Sequence, residues 1–138
     1  MIAALHAAGV TRLIDVRALP LSRRPGFSKT PLSAALAEAA IAYTHLRALG
    51  TPADGRAAVR RGDHVALKRI YGAQLDTPPA IAEAAIMLDL AAGEPSALLC
   101  YERDPAACHR SLLLKTVAKD AAVTHLFACP LPPRARDA

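Results

Sequence analysis

No run of about 18 apolar residues occurs in the 138-residue sequence, so it contains no candidate for a membrane-spanning helix. Its start, Met1-Ile2-Ala3-Ala4-Leu5-His6, lacks the basic residues and long apolar stretch of a secretory signal. Cysteine is sparse and irregular: Cys100, Cys108 and Cys129 form an odd set, which argues against a disulfide framework and for reduced thiols. The expectation is a soluble, cytoplasmic protein with no membrane partner. The tight Cys and His pairings of zinc motifs are missing as well, so neither metal nor cofactor is expected, and no internal repeat is visible. Lysine is scarce: 4 residues against 13 arginines. The planar guanidinium suits bidentate recognition of phosphates and carboxylates. Codon bias in an alanine- and proline-rich chain explains the ratio equally well, so only clustered arginines count as a signal.

What is present points to one α/β domain over residues 1–129, followed by a disordered Pro-rich tail at 130–138. The hydrophobic content of 53% supports a real core, and the formal charge of +5 favours anionic partners, nucleic acid among them. Residues 2–8 read as a helix closed by Gly9, and 11–17 as a buried strand. Thr30 is expected to cap a helix with Pro31 in its first position and Leu32 and Leu36 on one face. A strand over 41–46 follows, then a long basic loop over 47–63 punctuated by Gly50, Pro52, Gly55 and Gly62. Asp63 should cap a helix reaching Leu75, with Leu67, Ile70, Tyr71 and Gln74 on a common face. Thr77-Pro78 starts the next helix, with Ile81, Ala85 and Leu88 expected inward and Gly93 as its stop. A strand over 96–101, a helix from Asp104-Pro105 to about Lys119, and a strand over 123–127 complete the pattern. Strands alternating with helices imply a three-layer domain with a mostly parallel sheet of about four strands, whose ligands bind beyond the carboxyl ends of the strands.

Three segments arrive there with chemistry-bearing residues. Asp15 interrupts an apolar strand and Arg17 follows on the same face, an arrangement equally suited to a structural salt bridge and to a ligand site. Ser22, Arg23, Arg24 and Lys29 then form a cluster of donors, beside Phe27 as a surface for a stacked base. The second segment carries Arg56, Arg60 and Arg61, continued by His64, Lys68 and Arg69; it reads as a phosphate-tracking surface, a lid or an ordinary basic face. The third, Cys100 to Arg110, places a charged turn before a helix whose opening N–H groups attract anions. Arg110 lies on the stripe of Leu113 and Val117, where Glu102 or Asp15 could pair with it. Cys108 sits beside His109 and Arg110, a setting that lowers a thiol pKa, and is equally a small packing residue. Asp15 or Glu102 is a candidate general base and His109 the best acid/base group.

Asp15-Val16-Arg17 with Ser22-Arg23-Arg24, Tyr43-Thr44-His45-Leu46 before Leu49-Gly50, and Glu102-Arg103-Asp104-Pro105 with Cys108-His109-Arg110 together resemble the domain of unknown function 488 family, over roughly residues 5–127. The resemblance implies that Asp15, Arg17, Ser22, Arg24, His45, Gly50, Glu102, Arg103, Cys108, His109 and Arg110 stand at signature positions. It also implies a Gly-His-Ser strand before the first helix, whose absence here is expected to mark a truncated start or a diverged member; sheet backbone left unpaired by it is expected to be met by another chain, as in a homo-oligomer, or by lower stability. The leading expectation is an arginine-rich anion pocket, with Arg17, Ser22, Arg23, Arg24, His45, Arg103 and Arg110, for a phosphate-bearing ligand such as nucleic acid or a nucleotide. The alternatives are a thiol-dependent enzyme using Cys108 with His109 and Arg110, and a non-catalytic module for an acidic partner. Whether any catalysis occurs stays open at this stage.

Overall fold

The structure, a computed structural model, describes residues 2–20, 26–99 and 109–117. Along the chain run α1 (Ile2–Ala7), β1 (Arg12–Asp15), α2 (Lys29–Glu38), β2 (Ala42–His45), a 3-10 turn (Arg47–Leu49), α3 (Ala53–Arg61), α4 (His64–Leu75), α5 (Pro78–Gly93), β3 (Ser96–Leu99) and α6 (His109–Val117). The strands form a parallel sheet in the order β2-β1-β3. Leu13 pairs with Tyr43 on one side and Ala97 on the other, and Asp15 with His45 and Leu99. The expected strand at 123–127 and the tail at 130–138 lie outside the described residues.

That strand order explains the layers. From β1 the chain crosses to one side through α2, and from β2 it returns past β1 through α3, α4 and α5. Right-handed crossovers in opposite directions must use opposite faces of the sheet. Strand alternation then supplies two cores. Leu13 meets Leu5, Val10, Leu32 and Leu36 on the α1–α2 face. Ile14 and Val16 meet Leu67, Tyr71, Met87 and Leu113 on the face covered by α3 to α6. Among the described residues no helix is long and apolar enough to cross a membrane.

Three local expectations are corrected. Helix α2 begins at Lys29, with extended Ser28 rather than Thr30 at its N-cap and Pro31 in its third position. Proline is tolerated there because its absent N–H is one of the first-turn donors that no helical carbonyl can reach. The stretch 47–63 is not a loop. Pro52 and Gly62 bracket α3, Gly62 closing it in the left-handed conformation at φ 72°. Gly55 belongs inside the helix because a methyl group there would land on the Thr51 side chain. Helix α5 buries Ala80, Ala84 and Met87, and turns outward Ala85 and the expected core residues Ile81 (58% exposed) and Leu88 (41% exposed). This helix is apolar on almost every side, so periodicity alone carries no signal for a face. Close approach of α5 to the 3-10 turn favours the small Ala80 and Ala84, and Glu83 must reach the Ala48 amide.

Asp63 caps α4 as expected, accepting from the Ala66 N–H at 3.0 Å. Leu67, Tyr71 and Leu75 fill the core from that helix, with Ile70 and Gln74 at its margin.

Candidate functional site at the carboxyl edge of the sheet

Asp15 ends the central strand with its carboxylate fully buried, and Arg17 is 2% exposed. Burying either charge alone costs several kcal/mol, so the two must satisfy each other. Arg17 Nε donates to Asp15 Oδ1 at 2.8 Å and Nη2 to Oδ2 at 2.7 Å, a fork-to-fork pair, while the Arg17 backbone N–H adds a 3.1 Å bond to Oδ1. The third guanidinium nitrogen, Nη1, donates to the Phe27 carbonyl at 2.7 Å.

Neighbouring β2 completes the cluster. Tyr43 donates its hydroxyl to Asp15 Oδ2 at 2.5 Å. Burial, and then the hydrogen bond to the Asp15 carboxylate, push the Tyr43 phenol well above its ordinary 10.0, so it acts as a donor throughout the physiological range. His45 Nε2 lies 2.8 Å from the Arg17 carbonyl. A carbonyl oxygen only accepts, so Nε2 carries the proton in this bond, and Nδ1 has no hydrogen bond to another described residue. The segment between β1 and α2 is tied at both described ends: Arg17 holds Phe27, and the Lys29 N–H donates to the Pro20 carbonyl at 2.9 Å.

Beside this cluster the 3-10 turn Arg47–Leu49 is held from several directions. Tyr71 donates to the Leu49 carbonyl at 2.6 Å and Gln74 Nε2 to the Ala48 carbonyl at 2.9 Å. Both Glu83 oxygens accept from the Ala48 N–H at 3.1 Å. Gly50 packs so tightly on the β1 loop that a methyl group would fall on the Ala18 backbone nitrogen and Cα. Between these parts opens a pocket of about 340 Å³, lined by Ala18, Arg47, Ala48, Gly50, Pro52, Gln74 and Glu83.

The family model for "Domain of unknown function DUF488" matches residues 1–117. The chain belongs to this family. Comparison with curated proteins and with solved structures gave no match.

Of the DUF488 signature positions, the structure brings Asp15, Arg17, His45 and Gly50 together at one end of the sheet. Ser22, Arg23, Arg24, Glu102, Arg103 and Cys108 lie outside the described residues, and of His109 and Arg110 only the helical backbone is described. The meeting of Arg17 with Arg24, Arg103 and Arg110 beside Pro105 therefore concerns residues beyond those described. Arg60, Arg61, His64, Lys68 and Arg69 form a separate exposed corner between α3 and α4. Sequence reasoning missed Tyr43, Arg47, Gln74 and Glu83. Tyr43 had a signal: two residues before His45 on a strand opposite Asp15, it had to face the same side. The other three owe their place to helix packing, which no local pattern encodes.

Proposed function

We propose that this DUF488 domain binds a phosphate-bearing ligand, a nucleotide or nucleic acid, at the carboxyl edge of its sheet. The observation that carries the reading is that the described residues on either side of 21–25 are held at the end of β1. Arg17 and Lys29 make these contacts, and the stretch 21–25 carries Ser22, Arg23 and Arg24. The position favours a ligand too: β1 and its neighbours send their connections to opposite faces, which opens a crevice at the carboxyl ends. In this reading Asp15 neutralises Arg17, so the pair orients the edge. Ligand charge is met by Arg23, Arg24, Arg103 and Arg110, with Ser22 donating a hydrogen bond to the phosphate and His45 Nδ1 accepting one from a ligand hydroxyl or amino group.

The test is titration with inorganic phosphate and with a short single-stranded oligonucleotide at low and high salt. Affinity for the oligonucleotide should fall steeply with salt, as counterion release requires. The Arg23→Ala/Arg24→Ala variant should bind both at least tenfold more weakly with an unchanged melting temperature. Binding indifferent to salt and to that variant would overturn the reading.

A second reading, docking of an acidic partner without chemistry, is favoured by the α3–α4 corner, where Arg60, Arg61, His64, Lys68 and Arg69 are all exposed and only Arg61 is ion-paired, with Asp63, among the described residues. Loss of partner binding in Arg60→Glu/Arg61→Glu, with oligonucleotide affinity retained, would select it.

A further inference from the structure

Two charges of opposite sign, Arg47 and Glu83, line the pocket beside the 3-10 turn, and no hydrogen bond or ion pair joins them. Glu83 of α5 is half-buried, and among the described residues its only hydrogen-bond partner is the Ala48 N–H, which both of its oxygens accept at 3.1 Å. A carboxylate has about four acceptor positions, so one shared N–H leaves most of them open. No cation is paired with it among the described residues, although the chain carries a formal charge of +5. Gln74 of α4 donates Nε2 to the Ala48 carbonyl at 2.9 Å, and its Oε1 has no partner among the described residues. The two side chains grip the N–H and the C=O of a single residue, which fixes both sets of acceptors at one place in the lining. Arg47 directly precedes that residue, is exposed, and has no side-chain bond to another described residue. The remaining side chains of the lining, those of Ala18, Ala48 and Pro52, are apolar.

We propose that this pocket binds a small zwitterion, a free amino acid with an apolar side chain. Its ammonium group donates to Glu83 and to Gln74 Oε1, its carboxylate meets the Arg47 guanidinium, and its side chain meets the apolar lining. An ammonium has donors and no acceptor, which suits a place that offers acceptors; a guanidinium has donors only, which suits a carboxylate. A ligand with one charge would answer Arg47 or Glu83 and leave the other to solvent. Glu83 and Gln74 are already held by Ala48, so less side-chain freedom is lost when a ligand arrives. The volume of about 340 Å³ is at the small end for ligand sites, as a single amino acid requires. The pocket shares no residue with the phosphate site proposed above, so the two readings stand or fall separately.

The test is calorimetric titration of the full chain with L-alanine, L-valine, L-leucine and L-methionine, each also in its N-acetyl and its carboxamide form. At least one free amino acid should bind. Both of its blocked forms should bind at least tenfold more weakly, since acetylation removes the ammonium and amidation the carboxylate. Glu83→Gln should weaken the free form at least tenfold with an unchanged melting temperature, because the new amide oxygen still accepts from the Ala48 N–H. Arg47→Ala should weaken the free form at least fivefold and leave the carboxamide unaffected, a difference that a purely structural role does not produce. If Glu83→Gln also lowers the melting temperature, Arg47→Ala decides, because that side chain is exposed and outside the core. Free amino acids that fail to bind, or an affinity that Arg47→Ala leaves unchanged, overturn the proposal. Carboxamide binding as tight as that of the free form would mark a plain amine site, and equally tight N-acetyl binding a plain anion site; either result also overturns it.

Discussion

Two regions of this protein are rich in arginine and use it in opposite ways. At the carboxyl edge of the sheet Arg17 is 2% exposed and spends all three guanidinium nitrogens on Asp15 and Phe27. At the α3–α4 corner Arg61 is 57% exposed and touches Asp63 at 3.4 Å, a contact that solvent screens. The same side chain is a scaffold in one place and a free surface charge in the other. Burial decides which, because a desolvated cation must be paired and a solvated one need not be.

The comparison is broken first where it is steepest. Arg17→Met strands the Asp15 carboxylate in the core and should cost about 3–5 kcal/mol of stability in urea denaturation, whereas Asp15→Asn combined with Arg17→Met should cost less than the two single changes added together. Equal additivity would mean that the pair does not act as a unit. Gly50→Ala comes next. The new methyl falls on the Ala18 backbone, which has no rotamer to move, so a loss of about 1–3 kcal/mol is expected, with a disturbed pocket beside it. A neutral substitution would show that the turn is looser than its clamps imply.

Tyr71→Phe removes the hydroxyl that satisfies the Leu49 carbonyl and should cost about 1–3 kcal/mol, read as a shift in denaturant midpoint with unchanged slope. Burial holds the Tyr71 phenol well above its ordinary 10.0, so no gain in stability is expected from ionising it at alkaline pH. The corner should respond least. Arg61→Ala is expected to leave the midpoint unchanged at neutral pH. Asp63 is held below its ordinary 3.8, first by the Ala66 N–H and then by Arg61. Its folded value lies below its unfolded one, so its contribution is present above 3.8 and is lost as the pH falls through the folded value. Asp63→Ala should therefore lower the midpoint near neutrality and flatten its fall in acid; an unchanged acid profile would show that the cap is not ionised in the fold.

Much of the frame was legible before the coordinates. The cap-and-proline punctuation located α4 and α5, and the alternation of strands with helices required a parallel α/β arrangement. Asp15 and Arg17 were readable as a pair because a two-residue spacing on a strand returns to the same face. The helix over 53–61 was illegible because its glycines and proline are local breakers, and only packing of Gly55 against Thr51 shows why glycine stands inside it. The buried face of α5 was illegible for the opposite reason: a helix apolar all round offers periodicity nothing to select.

The order of apolar and polar residues by itself determined that strands alternate with helices, that Asp15 and Arg17 share a face, and that Asp63 starts a helix, since each follows from contacts within a few residues. Which arginines are scaffold, which face of α5 is inward, and that Gln74 and Glu83 meet over the Ala48 peptide were decided only by the tertiary structure. Those outcomes depend on desolvation and close approach between segments about 20 to 35 residues apart, and such energies have no local signature in the chain.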